Sequence, residues 1–307
     1  MKKILFILAS CVCLGSFAAK AQTVEVYKNG RLQVDTYLAD SVKFTATPQP
    51  TSDEARDWAY AHLDSLSDVV WEQMQASTEP NKRDPDATRE VFRTIGYNGK
   101  NVVSYLKAGA AVDSVILERL IDKALAEGNH TAVLVAGNSG GGKSYSIKSN
   151  PEMQQLVSEA GVVLDETFND KANLEACMAR LQQAGIDDQT VILVHNDAKT
   201  SMVNAMDRYM RSGRVIGLEF FLYLYPCYVD YVKYLEDNNI GTHRYYLENA
   251  GNNSVGLVSA SEALKWDYSI SDELKQEMTT LVYDYLINCR EAKTITPRDL
   301  WAILFDE

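Results

Sequence analysis

The chain has 307 residues, 46% apolar and 23% charged, with 17 Gly and 7 Pro; this ordinary globular composition excludes collagen-like, low-complexity and wholly disordered chains. The formal net charge is −12, and because Lys2, Lys3 and Lys20 are the only charged residues in the first 21, the rest of the chain carries −15. So acidic a body repels phosphate backbones, which argues against nucleic acid as a partner.

Residues 1–21 (MKKILFILASCVCLGSFAAKA) read as a signal peptide: a basic start, an apolar stretch and an A-x-A cleavage pattern at Ala19-Lys20-Ala21. The expectation is an exported chain, periplasmic or secreted. The run from Ile4 to Ala19 is too short to span a bilayer, and no later run reaches 18 apolar residues, so no transmembrane helix is expected in the mature chain. Leu8-Ala9-Ser10-Cys11 also resembles a lipoprotein cleavage box, but Cys11 lies very early for that, which ranks lipidation second. Cleavage would remove Cys11 and Cys13. The remaining Cys177, Cys227 and Cys289 suit neither a disulfide framework nor a metal site.

Residues 22–50 read as a β-hairpin and linker. Two alternating runs in VEVYKNGRLQVDTY flank Asn29-Gly30, Leu38–Phe44 adds a third short strand, and TATPQPTSDE has linker composition. Residues 51–111 read as a helical region. Within it Ala59, Leu63, Leu66, Val70 and Met74 predict one helix over 53–75, and the polar, proline-containing stretch 77–88 predicts an exposed loop. A second helix is predicted over 114–127, ended by Gly128.

From residue 132 the pattern changes. The runs 132–136 (AVLVA), 161–164 (GVVL) and 191–194 (VILV) are short, continuous and apolar, as strands buried on both faces are, and 255–258 (VGLV) is a weaker fourth. Helical patterns separate them, including 170–184 ended by Gly185 and 199–211, so the fold class is α/β with a parallel sheet flanked by helices. Further helices are predicted near 218–236, 271–289 and 297–304.

The sharpest motif is Gly137-Asn138-Ser139-Gly140-Gly141-Gly142-Lys143-Ser144, which satisfies G-x-x-x-x-G-K-[ST] directly after a strand-like run. Its chemistry is that of a P-loop. Glycines let successive backbone N–H groups turn toward phosphate oxygens, Lys143 supplies a point charge, Ser144 offers a hydroxyl to Mg²⁺, and the next helix points its positive end at the same phosphates. That helix is short, since Asn150-Pro151 must restart or kink it. Asp165, 22 residues past Lys143, ends the second strand-like run; an acid there can hold Mg²⁺ or accept a hydroxyl proton, and Glu166 could orient a water. Arg208 and Arg211 share a helix face and Arg214 follows on a Gly turn, an arrangement suited to phosphate oxygens and equally to a solvated face with Asp207 as local partner. His195 lies at a strand end, alone; His62, His130 and His243 give no zinc spacing. The Tyr-rich stretch 220–234 could stack a base, though a packed helix is the plainer reading. The stretch 245–258 (YYLENAGNNSVGLV) puts Glu248, Asn249 and a small loop before the fourth strand; adenine could lie against such a loop, and an ordinary turn fits equally well.

The order AVLVAGNSGGGKS, VVLDETFNDKANLEACMARLQQAG, VILVHNDAKTSMVNAMDRYMRSGRVI, YYLENAGNNSVGLV resembles the zeta toxin family of P-loop kinases over roughly residues 112–265. The resemblance implies that residues 112–307 form a P-loop kinase-like domain using ATP and Mg²⁺, whose nucleoside triphosphate donates its γ-phosphate to a small-molecule hydroxyl acceptor such as a nucleotide sugar. It implies that Lys143 and Ser144 are nucleotide and metal residues and that Arg208, Arg211 and Arg214 include the γ-phosphate arginines. The family's base follows the strand after the P-loop and precedes a further strand–helix unit. Here DETF (165–168) leads directly into a helix like that of the second unit. Either Asp165 is the base or the base segment is lost. The competing readings are an exported nucleotide-binding protein without catalysis, favoured by the scarcity of ATP outside the cytoplasm, and a P-loop ATPase using Glu166.

Overall fold

The computed structural model describes residues 22–28, 31–33, 41–46, 50–99, 101–212, 216–251 and 254–291. The signal segment, Cys11, Arg214 and the 297–304 helix lie outside them. The chain divides into two compact units, residues 1–51 and 52–307.

In the first unit, β1 (Gln22–Lys28) lies between β2 (Arg31–Gln33) and β3 (Ser41–Ala46), antiparallel to both. Lys28 pairs with Arg31, and the predicted Asn29-Gly30 turn lies outside the described residues.

The second unit opens with α1 (Ser52–Ala61) and α2 (Leu63–Gln75), where the periodicity predicted one helix. The break falls at His62, whose backbone leaves helical geometry at φ −124°, ψ 17°. Its ring stacks on Trp58 at 4.3 Å and its Nδ1 lies 2.8 Å from the Trp58 carbonyl oxygen. The stretch 77–88 is not a plain exposed loop. It contains a two-residue strand, β4 (Lys82–Arg83), then Asp84 capping the short helix α3 (Pro85–Thr88) with Pro at its first turn. A 3₁₀ segment (Arg89–Ile95) leads to α4 (Val102–Ala126), which begins twelve residues before the predicted start and runs across position 112.

The six-stranded sheet has the order β4, β6, β5, β7, β8, β9, formed by β5 (Thr131–Gly137), β6 (Val162–Asp165), β7 (Asp188–His195), β8 (His243–Asn249) and β9 (Val255–Val258). Neighbours are parallel except β8 and β9. The unit is therefore α/β with a mostly parallel sheet flanked by helices. Its far side differs from the expectation in two ways: HRYYLEN (243–249) is a strand rather than chain leading to a loop, and the expected fourth strand is the antiparallel edge β9.

Pleating sends alternate side chains of β5 to opposite faces. Ala132, Leu134 and Ala136 pack into the larger core with α4, while Val133 and Val135 join a smaller layer with Ile147 and Met153. Those two come from α5 (Lys143–Ser149) and α6 (Pro151–Glu159). Asn150 caps α6 through Glu152 and Met153 N–H, with Pro151 in the first turn, so the chain restarts at Asn150-Pro151 as expected. The larger layer adds α7 (Lys171–Gln183), α8 (Ala198–Ser212), α9 (Leu218–Leu224), α10 (Tyr231–Asp237), the short α11 (Ala260–Ala263) and α12 (Asp272–Glu291). The predicted helix over 218–236 is interrupted by a 3₁₀ turn (Tyr225–Tyr228) holding Pro226, which cannot donate to a helical ladder. Leu134 is wholly buried, and each such side chain contributes about 1.5–3 kcal/mol. Among the described residues, no helix is long and apolar enough to cross a membrane.

Candidate functional site

Parallel strands bring their carboxyl ends to one edge of the sheet, and connections from this edge are where ligands bind in open α/β sheets. β5, third of six, runs there into the glycine loop 137–144. The residue types are set by close approach. Gly140 has φ +74°, and a Cβ on it would lie 1.9 Å from the Ser201 carbonyl oxygen of α8. Gly142 has φ +82°, and its Cβ would lie 2.4 Å from Asn249 Nδ2.

Side-chain amides hold the loop's carbonyl groups. Asn204 Nδ2 donates to Gly140 O at 3.0 Å and Asn249 Nδ2 to Gly141 O at 3.1 Å. Asn138 Nδ2 donates to Ser201 Oγ at 2.7 Å, and Asn138 O accepts from Gly141 N–H at 3.0 Å. The N–H groups of Ser139, Gly140 and Gly142 take no part in the hydrogen bonds among the described residues. Lys143 Nζ donates back across the loop to Gly137 O at 3.3 Å, so a single positive charge lies inside the turn. Ser144 is exposed at the start of α5.

The tyrosine-rich segment supports this edge from the core. Tyr225, Tyr228 and Tyr231 are buried, and their hydroxyls donate to backbone carbonyls after the strands: Tyr225 to Asn196 at 3.0 Å, Tyr228 to Thr167, and Tyr231 to Phe168 at 2.6 Å. Thr167 O also accepts from Gly137 N–H at 3.2 Å. The stretch is thus a packed framework that fixes the segments around the glycine loop.

The acids after β6 meet a feature invisible in the sequence pattern. β4 pairs with β6 in the register Lys82–Val163, Arg83–Leu164, and Asn81 O accepts from Val163 N–H at 2.8 Å. This brings Lys82 Nζ to 3.1 Å from Asp165 Oδ2, while Lys143 Nζ lies 3.9 Å from Asp165 Oδ1. Arg83 pairs with Glu166. Burial works against the Lys82 ammonium, but Asp165, Glu79 and Asp84 outweigh it and hold its pKa above the ordinary lysine range. Burial raises the Asp84 carboxyl, and the neighbouring Asp86 and Asp165 raise it further. Behind them Thr88 Oγ1 donates to the buried Asp113 of α4 at 2.6 Å. The Arg83–Glu166 pair is 8% and 18% exposed on its two side chains, so removing either partner would strand a nearly buried charge.

The donors expected for Mg²⁺, the Ser144 hydroxyl and the Asp165 carboxylate, line one cavity of about 10 Å³, room for a single water. Lys82 and Glu79 line it too. The carboxylate already has an ammonium partner on each side, one of them at hydrogen-bonding distance. As arranged, these residues do not fit a divalent ion, because Lys82 occupies the carboxylate that would bind it.

Arg208 lies on α8 one turn beyond Asn204, and its Nη1 is 3.9 Å from Asp86 Oδ2. It faces the β4–α3 side of the site. Arg211 is exposed and donates to the carbonyl oxygen of Asp207, whose carboxylate instead accepts from Tyr285 at 2.6 Å. His195 is a core residue, stacked on Trp266 at 4.8 Å and edge-on to Tyr268 at 4.8 Å. Burial drives its pKa down to about 4, with Asp197 and Asp267 opposing. Between about pH 6.5 and pH 4 the unfolded chain therefore binds a proton that the folded chain refuses, and stability falls as pH falls. Urea unfolding is expected to show a loss near 1.4 kcal/mol per pH unit, about 3 kcal/mol at most, that His195→Phe reduces; equal slopes in the two proteins would exclude this origin.

No protein-family model matches the chain, and no curated protein matches it. Lys82, Arg83 and Asn204 are site residues that sequence reasoning missed. The Asp84-Pro85 pair was a readable sign that structure begins there.

Proposed function

We propose that the loop 137–144 grips the polyphosphate tail of a nucleoside triphosphate, that the second unit is a P-loop fold, and that the chain is a zeta-toxin-like kinase passing the γ-phosphate of ATP to a hydroxyl of a small molecule such as a nucleotide sugar. The observation that carries this reading is Lys143 held inside a glycine loop whose carbonyls are tied back by Asn204 and Asn249, at the carboxyl end of a central parallel strand. Such a loop leaves backbone donors and one ammonium for an anion. ATP, when bound, supplies the transferable phosphoryl group. Lys143 neutralises charge on it, and Arg208 is near enough to the β4–α3 side to steady the migrating group once it leaves Asp86. Asp165 is the carboxylate proposed to accept the acceptor's proton, which requires that it yield its pair with Lys82.

Asp165→Asn keeps shape while removing the base. It is expected to lower phosphotransfer by about 10²-fold or more with ATP affinity retained. Turnover equal to the parent in a product assay would remove Asp165 from the mechanism. A second reading, nucleotide binding without transfer, is favoured by one observation: both acids after β6 are engaged by cations of β4. The same pairing of Glu166 with Arg83 weighs against an ATPase in which Glu166 orients water. Purified chain incubated with ATP and candidate acceptors separates these readings. A phosphorylated acceptor supports the kinase, ADP without acceptor the ATPase, and binding without product the non-catalytic protein.

A further inference from the structure

We propose that Lys82 takes the role of the divalent cation at this site, so that the chain binds nucleoside triphosphate without Mg²⁺; this rests on the polyphosphate reading of the loop 137–144. The argument begins with the carboxylate. Asp165 is held between Lys82 at 3.1 Å and Lys143 at 3.9 Å, so it bridges two ammonium groups, one from β4 and one from the first residue of α5. Ser144 and Lys82 both line the small cavity beside it, which places the hydroxyl and the ammonium next to one another.

Lys82 is not a wandering surface side chain. It is 13% exposed, and its backbone is fixed by the β4–β6 register and by the Asn81 O to Val163 N–H bond. Asn81 is itself anchored: its Nδ2 donates to Ala160 O at 3.0 Å, and its Oδ1 accepts from Lys123 Nζ at 2.8 Å. Glu79, 3.5 Å from Lys82 Nζ, adds a second carboxylate. These acids keep the ammonium charged despite burial. An ammonium has three N–H donors, and Lys82 spends them here on Asp165 and, at longer range, Glu79. Moving toward a phosphate would exchange one carboxylate partner for another anion and leave Asp165 with Lys143 as its remaining ammonium partner. Two lysines then supply two of the three positive charges that a lysine and a divalent ion supply together in metal-dependent phosphate sites.

The test is calorimetric titration of the full chain with ATP, in Mg²⁺ buffer and in EDTA, for the parent, Lys82→Met and Lys82→Arg. The parent is expected to bind equally in both buffers, within about twofold. Lys82→Met, which keeps the aliphatic stem, is expected to bind at least about tenfold more weakly in EDTA and to recover when Mg²⁺ gains access to Asp165 and Ser144. Lys82→Arg should retain metal-free binding because it retains the charge. Parent binding that collapses in EDTA would overturn the Lys82 assignment while leaving the loop's role intact. So would undiminished EDTA binding by Lys82→Met. No ATP binding by the parent in either buffer would overturn the polyphosphate reading and this assignment with it. The parent's buffer comparison needs no variant, so it decides even where Lys82→Met fails to fold.

Discussion

Lys143→Ala is expected to weaken ATP binding by about 10- to 100-fold, the measure of one charge-assisted contact to an anion in a partly buried site. Among the described residues its ammonium has one hydrogen bond, to Gly137 O at 3.3 Å, and a distant ion pair to Asp165. Removing it therefore costs little folding energy and should act on ligand affinity. Lys148, exposed in the last turn of α5, is the control: Lys148→Ala changes the net charge equally and leaves binding unchanged. Equal affinity of Lys143→Ala and parent in a titration would show that no phosphate sits within reach of residue 143.

Gly140→Ala is expected to be the more damaging change, because it strikes both fold and site. At φ +74° an L-residue pays roughly 1–2 kcal/mol. Its Cβ would also lie 1.9 Å from a backbone oxygen of α8, and backbone cannot rotate aside as a side-chain end can. Overpacking of this kind typically adds 1–3 kcal/mol, for a total of about 2–5 kcal/mol. In a chain of this size that lowers the melting temperature by roughly 5–15 °C. The loop must also part from α8, which breaks the Asn204-to-Gly140 bond and misplaces the neighbouring N–H groups. ATP affinity is expected to fall together with stability. A variant with parental melting temperature and affinity would show that the loop does not pack on α8.

What could be read from sequence depended on how each element earns its burial. The strands 131–137, 162–165 and 188–195 are covered on both faces, so their apolar runs announce them. α7 was equally plain, since Leu174 and Leu181 are buried at helical spacing and Gly185 closes the end at φ +96°. β8 was missed because it is less uniformly buried: Tyr246 and Leu247 face inward, but His243 and Glu248 remain exposed and interrupt the run. β4 was missed for a different reason. Two basic residues in a polar, proline-flanked stretch look solvated, yet Arg83 is 7% exposed, and the partners of Lys82 and Arg83, Asp165 and Glu166, lie about eighty positions later.

The candidate site divides along the same line. The glycine loop is local in sequence, and its residue types state their purpose. The countercharges are not local: Lys82 finds Asp165 only because β4 pairs with β6, a topological fact that no window of sequence contains. His195 was ambiguous at a strand end and resolved into a neutral core ring only once Trp266 and Tyr268 were placed against it. Asn204, which ties back the Gly140 carbonyl, carried no motif, and Asn249, noted only for the loop that follows it, holds the Gly141 carbonyl.

The central claim is that backbone amides of residues 138–145 close around a polyphosphate tail. Amide hydrogen exchange with ATP, and with adenosine at the same concentration, measures this directly. The account predicts slowed exchange in the peptide spanning 138–145 with ATP and no change with adenosine. Unchanged exchange there at saturating ATP, with protection elsewhere in the chain or nowhere, would contradict it.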